Sequence, residues 1–262
     1  MKAFFLILMM VAASLCTIAQ TDALHAGVYN YSDSKTQKTG VVEKRQLIAG
    51  KTLDLQTFEI YTLTLPAGKS YIPPLADSKF EQLIIVKSGI IKLMLKDSVK
   101  TVGAGSLALV LAGDKIGFQN TSGQPATWYV IHYESKNPVN IQRGNDAGPS
   151  FIKDWNSLKV NKSPKGETRA VFDRATSMFG RFDVHATALN PGYASHDPHT
   201  HRVEELILML NGSVQEQIAQ DKFMANAGDC IFLSSGILHG PKNISNEQCY
   251  YYAIQWHNLK TD

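Results

Sequence analysis

The sequence predicts an all-β protein built from two tandem antiparallel β-barrels. Two observations carry this prediction: many short apolar or alternating runs separated by turn residues, and an internal repeat that spans most of the chain. Few runs have the 3.6-residue period of an amphipathic helix. Short strands at this spacing are typical of a sandwich or barrel. The predicted strands include residues 57–65, 82–86, 90–95, 128–133, 181–189, 205–210 and 250–256.

The N-terminus has the pattern of a secretory signal peptide over residues 1–19. Lys2 gives a positive start, residues 3–15 form an apolar run too short to cross a bilayer, and small residues precede a cleavage point after Ala19. A lipoprotein acylated at Cys16 is disfavoured because Leu15 is bulky, and a retained anchor is the other alternative. We therefore expect a periplasmic or secreted protein of about 240 residues with no membrane span.

The composition gives no indication of nucleic-acid binding, and it leaves open whether two cysteines form a disulfide. The net charge is +3 and the charges are well mixed, so no basic block indicates nucleic-acid binding. Cys230 and Cys249 could pair in an oxidising compartment, but both lie in apolar strand-like runs, which favours two buried thiols. The sequence leaves open whether the chain forms a homodimer.

The repeat divides the chain into two barrels. Residues 80–89 align with residues 203–212 at an offset of 123, and upstream of Gly68 the offset is 124. A repeat of this length predicts two copies of one barrel, because solenoid units are far shorter. The predicted organisation is an N-terminal arm (20–44), a first barrel (45–142), a linker (143–168) with a helix over residues 149–159, and a second barrel (169–262).

The second half carries a set of metal-ligand residue types at strand spacing. His199, His201 and Glu205 share odd parity, so on an extended segment their side chains leave one face, here the barrel interior. His239 comes from a separate strand after a turn at Gly236 and can complete the set. Glu204 has the opposite parity and is predicted to point out of the barrel.

The chemistry of these four side chains limits the kind of metal. Three imidazoles and one carboxylate suit a divalent transition metal such as Mn, Fe, Co, Ni, Cu or Zn. Four protein ligands on an ion that accepts six leave two positions for water or substrate, which is typical of an open catalytic site.

The glycines and ligands of this half resemble the two sequence motifs of the cupin superfamily. The matching positions are Gly192, His199, His201, Glu205, Gly212, Gly228, Gly236, His239 and Asn243, with one additional residue after Gly192 and Ser234 where a proline is usual. The resemblance covers both halves. It implies a bicupin, two fused jelly-roll barrels, with His199, His201, Glu205 and His239 as metal ligands in the second.

The first half lacks these ligands. Ala76, Ser78, Gln82 and Ile116 stand where the second half has His199, His201, Glu205 and His239, while the turn glycines remain. The first barrel is therefore predicted to bind no metal and to pack against its twin. An alternative, for which the sequence offers no specific residues, is an organic ligand in a dry pocket.

Several other residues have two interpretations. His196, on the loop before His199, is either a general acid or base or a solvent-exposed loop histidine, and the loop interpretation is favoured. Arg181, Asp183 and His185 share one face of a strand, which we interpret as a solvent face. Apolar candidates for the cavity wall, each more typical of core, are Tyr250, Tyr252, Trp256, Phe182 and Met209.

Two functional hypotheses follow. The first is a metal-dependent enzyme, of the isomerase, lyase, hydrolase or dioxygenase class, acting on a small oxygen-rich molecule that chelates the metal. The second is a non-catalytic, metal-bearing protein that binds a small molecule such as a sugar acid. Turnover of a bound ligand separates the two.

Overall fold

The fold is described from a computed structural model, over residues 23–74, 79–96 and 98–258. The predicted signal peptide lies outside these residues. Within them, no helix has the length and apolar character needed to cross a membrane.

The described part of the first half contains eleven strands. They are β1 (Gly27–Tyr29), β2 (Thr36–Thr39), β3 (Val42–Gly50), β4 (Leu55–Leu65), β5 (Ser70–Tyr71), β6 (Glu81–Ser88), β7 (Ile91–Leu95), β8 (Ser98–Val102), β9 (Leu107–Val110), β10 (Ile116–Gln119) and β11 (Ala126–Ser135).

The second half follows a helix, α1 (Ile141–Ala147). Its strands are β12 (Phe151–Lys153), β13 (Asn161–Ser163), β14 (Gly166–Arg174), β15 (Arg181–Leu189), β16 (Glu204–Asn211), β17 (Ser213–Ile218), β18 (Asp221–Asn226), β19 (Cys230–Leu233), β20 (His239–Lys242) and β21 (Cys249–His257). A 3-10 turn covers Trp155–Ser157.

Each half forms one large and one small antiparallel sheet, which confirms the predicted all-β fold of two barrels. The large sheets have seven strands, in the orders β12-β9-β6-β11-β4-β3-β2 and β1-β19-β16-β21-β15-β14-β13. The small sheets have the orders β5-β10-β7-β8 and β18-β17-β20. Each barrel therefore has an interior between its large and its small sheet.

The two barrels exchange their edge strands. β1, from the predicted arm, pairs with β19 of the second barrel. β12, from the predicted linker, pairs with β9 of the first barrel, at equivalent positions of the repeat. Both connecting segments are thus parts of sheets and not simple tethers. The exchange ties the first barrel to the second through backbone hydrogen bonds at both ends of the repeat.

The buried apolar side chains of the described residues form three clusters, one inside each barrel and one between the large sheets. The cluster between the sheets combines side chains of both halves, including Phe58, Tyr133, Phe232 and Trp256. Because side chains alternate along a strand, one face of each large sheet packs against the other half and the opposite face lines its own barrel.

The linker does contain a helix, but the predicted position over residues 149–159 is wrong. The helix ends before that range, and residues 151–153 form β12 instead. The side chain of Asn140 accepts a hydrogen bond from the Arg143 backbone N at 2.9 Å and caps the first turn. The segment after Gly148 is extended because its backbone pairs with β9.

Glu204 does leave the opposite face from Glu205, but that face is not exposed. It is 1% exposed, and its carboxylate accepts hydrogen bonds from Thr52 Oγ1 at 2.6 Å, Leu53 N at 3.0 Å and Trp256 Nε1 at 3.2 Å. The outer face of β16 is covered by the first half, so Glu204 contacts the loop before β4. The strand parity was right, and the surroundings of that face were decided by the packing of the two halves.

Cys230 and Cys249 are both free and buried. Cys230 belongs to the cluster between the sheets and Cys249 to the interior of the second barrel. The thiols therefore lie on opposite faces of one sheet and cannot meet. Burial raises the pKa of Cys249 to about 11 and raises that of Cys230 as well, so both remain thiols near neutral pH.

Candidate metal centre

Two chain segments meet at the mouth of the second barrel and bring the predicted ligands together. The backbones of His199 and His239 exchange two hydrogen bonds of 3.0 Å each. Gly236, which turns the chain at a φ of +74°, donates its backbone N–H to the His201 carbonyl at 2.8 Å. The positive φ is readily adopted by glycine, so this residue type suits the turn that delivers His239.

The side chains of the four residues converge. The ligand atoms of His199, His201 and His239 all lie within 4.8 Å of one another. Glu205 Oε2 lies 3.2 Å from His201 Nε2 and 3.5 Å from His239 Nε2. Three imidazoles and a carboxylate thus surround one point, as the spacing and strand parity predict.

Backbone carbonyls orient two of the imidazoles. His201 Nδ1 lies 2.7 Å from the Val203 carbonyl, and His239 Nδ1 lies 3.0 Å from the Ile237 carbonyl. A carbonyl only accepts, so each Nδ1 carries a proton, and a ring in its neutral form then has its Nε2 lone pair available to a metal. His239 Nε2 is buried and has no hydrogen-bond partner among the described residues. This buried nitrogen without a hydrogen-bond partner, together with the surrounding imidazoles and carboxylate, suits a divalent transition metal.

Glu205 is poised as an anion although it is buried. Burial by itself would raise its pKa, but the neighbouring His201, His239 and Gln255 side chains stabilise the anion, outweigh burial and hold the pKa below its ordinary value. Gln255 Nε2 donates to the same Oε2 at 3.0 Å. Because a metal ligand must be deprotonated, this arrangement prepares the carboxylate before any ion arrives.

His196 contacts the ligand set instead of extending freely into solvent. Its Nδ1 lies 3.0 Å from His199 Nδ1 and 3.1 Å from the Asp197 carbonyl. It is partly buried, and this burial lowers its pKa. The contact places His196 beside a ligand ring, where it can hold that ring in position. Its role as an acid or base stays a prediction.

The interpretation of Arg181, Asp183 and His185 as a solvent face is wrong for His185. His185 lines a cavity of about 140 Å³ together with His196, His199 and Glu205. The register explains this position, because His185 pairs with Ala253, which in turn pairs with Ile207 on the same face as Glu205. Arg181, at the strand end, is exposed and bonds Asp173.

Sequence reasoning did not single out several other cavity residues. Gln255, Thr187 and Tyr251 line the same wall as His185. Their parity on β15 and β21 could have indicated them once those strands were placed next to β16. Of the five apolar candidates, Phe182, Tyr252 and Trp256 pack between the sheets and Met209 lies in the barrel core. Tyr250 is half-buried and bonds Gln248.

The fold and this site define a class of protein with two β-barrels, the second of which carries a set of metal-ligand side chains. Comparison with known proteins shows which fold family has this arrangement. A family model for the cupin domain matches residues 186–255. Residues 186–255 thus match a cupin domain, and the described chain has the two-barrel cupin fold, as the motifs predict. No curated protein sequence matches the chain.

Solved structures share this fold over nearly the whole chain. A Pseudomonas aeruginosa protein described as glyoxylate-induced aligns with a TM-score of 0.73 and 18% identity, covering 94% of both chains. An oxalate decarboxylase from Lactobacillus farciminis, solved as a formate complex, has a TM-score of 0.68 and 14% identity, covering 93% of this chain and 90% of its own. AerE from Microcystis aeruginosa has a TM-score of 0.65 and 17% identity, covering 87% and 98%. These similarities concern the fold.

Proposed function

We propose that this protein is a metal-dependent enzyme that acts on a small carboxylic acid carrying a second oxygen donor. His199, His201, Glu205 and His239 would hold the metal. The observation that carries the proposal is the pair of His185 and Asp183 beside this ligand set. His185 Nδ1 lies 3.5 Å from Asp183 Oδ1, and His185 lines the cavity with the ligands.

His185 offers the cavity an exchangeable proton, and its ring can carry a positive charge when protonated. Its bond with Asp183 raises its pKa, and burial opposes this shift without cancelling it. An imidazolium at this position would bind a carboxylate of the substrate or deliver a proton to it. With Asp183 on Nδ1, the other ring nitrogen is left for the ligand.

Neutral hydrogen-bonding groups complete the wall. Tyr251, Thr187 and Ser195 line the cavity, and the buried Tyr251 hydroxyl has no hydrogen-bond partner among the described residues. Such hydroxyls suit the oxygen atoms of a small acid. When bound, a divalent metal supplies Lewis-acid polarisation of a coordinated oxygen.

The size of the cavity supports a small substrate. Its volume of about 140 Å³ lies below that of cavities for drug-sized molecules, which begin near about 300 Å³. Two proteins of the same fold are described by reference to small acids, oxalate in one case and glyoxylate in the other. A molecule of a few carbon atoms with two or more oxygens fits these observations.

The proposal extends to location. Because residues 1–19 have the pattern of a signal peptide, we propose that the protein is exported and works in the periplasm or outside the cell. N-terminal sequencing of protein secreted by its native host tests this. A chain that begins at Gln20 supports cleavage after Ala19, and a chain that keeps residues 1–19 contradicts it.

A turnover screen tests the activity. Metal-free protein is loaded separately with Mn, Fe, Ni or Zn and incubated with oxalate, glyoxylate, pyruvate, glycolate and malate, and the products are followed by NMR. We expect conversion of at least one acid by one metal form. The variant His185→Gln should keep its metal but lose most of the turnover, about 100-fold or more.

Two outcomes contradict the enzyme proposal in different ways. If an acid binds the metal-loaded protein without conversion, the protein is a metal-bearing binding protein. If no acid binds and no metal is retained, the proposed site itself is wrong. The exposed variant His25→Ala serves as the matched control, because His25 lies outside the cavity.

A further inference from the structure

The first barrel keeps a cavity at the place where the second barrel has its metal centre. Gln82 stands at the position of Glu205, His132 at that of Gln255, and Tyr61 at that of His185. All three of these first-barrel residues line a cavity of about 270 Å³, roughly twice the volume of its counterpart. The first barrel therefore lacks the metal ligands but has a cavity at the equivalent position.

The wall of this cavity combines aromatic rings with neutral hydrogen-bonding groups. The rings belong to Tyr61, Tyr71 and Phe80, and Phe80 stacks on His132 with ring centroids 4.2 Å apart. Gln82 Nε2 lies 3.3 Å from His132 Nδ1, so these two side chains fix each other. The amide and the phenol hydroxyls offer both donors and acceptors.

The carboxylate among the described lining residues has partners within the protein. Asp114 contacts Lys96 Nζ at 2.7 Å and accepts a hydrogen bond from Ser150 Oγ at 2.5 Å, so its charge is neutralised within the protein. Lys44 Nζ lies over the Tyr61 ring, 3.9 Å from its centroid. A ligand in this cavity would therefore meet mainly aromatic rings and neutral hydrogen-bonding groups.

We propose that the first barrel binds a neutral sugar the size of one pyranose ring. The aromatic rings would pack against the apolar face of the sugar, and Gln82, Tyr61 and His132 would hydrogen-bond its hydroxyls. The volume of about 270 Å³ lies near the lower bound of ligand cavities, about 300 Å³, which restricts the ligand to a single ring. This site does not depend on the metal or on the proposed enzyme activity.

A binding experiment on metal-free protein tests the proposal. D-glucose, D-galactose, D-mannose and D-xylose are titrated one at a time and followed by saturation-transfer NMR, with phenol as a flat aromatic comparison. We expect at least one sugar to bind with a Kd on the order of 1 mM. Gln82→Leu and Tyr61→Phe should each weaken that binding by about 10-fold, the loss of one hydrogen-bonding group.

A matched control separates a direct effect from general damage. Gln215→Leu makes the same change at a half-buried glutamine of β17, outside this cavity, and should leave sugar binding unchanged. Circular dichroism shows whether each variant is folded. The proposal is overturned if no sugar binds at about 50 mM, if phenol binds and no sugar does, or if Gln82→Leu and Tyr61→Phe both bind like the unaltered protein.

Discussion

Glu81 and Glu204 occupy equivalent positions in the two halves, and each carboxylate binds a loop of the other half. Glu81 accepts a hydrogen bond from the Ser177 backbone N at 2.7 Å, and Glu204 accepts one from the Leu53 backbone N at 3.0 Å. Both carboxylates are buried. The two halves are therefore joined by a reciprocal pair of buried acceptors, in addition to the exchanged strands.

This relationship predicts that Glu204 contributes to stability and not to metal binding. Glu204→Ala would leave Thr52, Leu53 and Trp256 donors without a partner, so we expect the free energy of unfolding to fall by about 2–4 kcal/mol. Urea denaturation followed by circular dichroism measures it, with exposed Glu43→Ala as the control. Equal stability of the two variants would show that the loop finds other partners.

The assignment of the metal ligands is tested by measuring how much metal the purified variants retain. His239→Ala and Glu205→Gln should each lower the metal retained by protein purified without chelator by at least about 10-fold, because each removes one donor of the converging set. Elemental analysis of the folded variants measures this. Glu204→Ala is the matched comparison for Glu205, since the two carboxylates leave opposite faces of β16. Loss of metal in Glu204→Ala with retention in Glu205→Gln would contradict the assigned register.

A second buried carboxylate predicts a pH dependence of stability. Burial raises the pKa of Glu216 to about 8 from an ordinary value of 4.5, and its Oε2 has no hydrogen-bond partner among the described residues. The folded state thus favours the protonated form. The stabilising contribution is complete below pH 4.5 and is lost as pH rises through about 8.

Glu216→Gln should remove this dependence. For metal-free protein, we expect the unaltered chain to lose at least about 1 kcal/mol relative to Glu216→Gln between about pH 5 and pH 8. Urea denaturation at several pH values measures the difference. The exposed Glu247→Gln should follow the unaltered protein at every pH. Parallel curves for all three proteins would contradict a raised pKa at Glu216.

The exchanged strand β1 predicts a local effect of truncation. A chain that begins at Ser32 lacks β1 and leaves the edge of β19 uncovered. We expect faster hydrogen exchange across Cys230–Leu233 and a lower midpoint of thermal unfolding, relative to a chain that begins at Gln20. β9, which is covered by β12, provides an internal reference and should exchange at an unchanged rate. Unchanged exchange at β19 would show that the pairing with β1 adds no protection.

The sequence alone determined the features that depend on strand alternation and on the repeat. Side chains alternate along a strand wherever it packs, so His199, His201 and Glu205 could be assigned to one face and Glu204 to the other. Comparison of the two halves likewise showed that Gln82 and Ile116 replace ligands, whereas the other two counterparts, Ala76 and Ser78, lie outside the described residues.

Only the tertiary structure decided what each face meets. Glu204 is buried because the first half covers β16, and His185 lines the cavity because β15 lies beside β21 in the same sheet. The exchange of β1 and β12 depends on contacts between residues about 200 and about 40 positions apart, which no local pattern encodes. The alternation of side chains between the two faces of a strand is a local property of the backbone. The burial of each face is set by the segment of the protein that packs against that face.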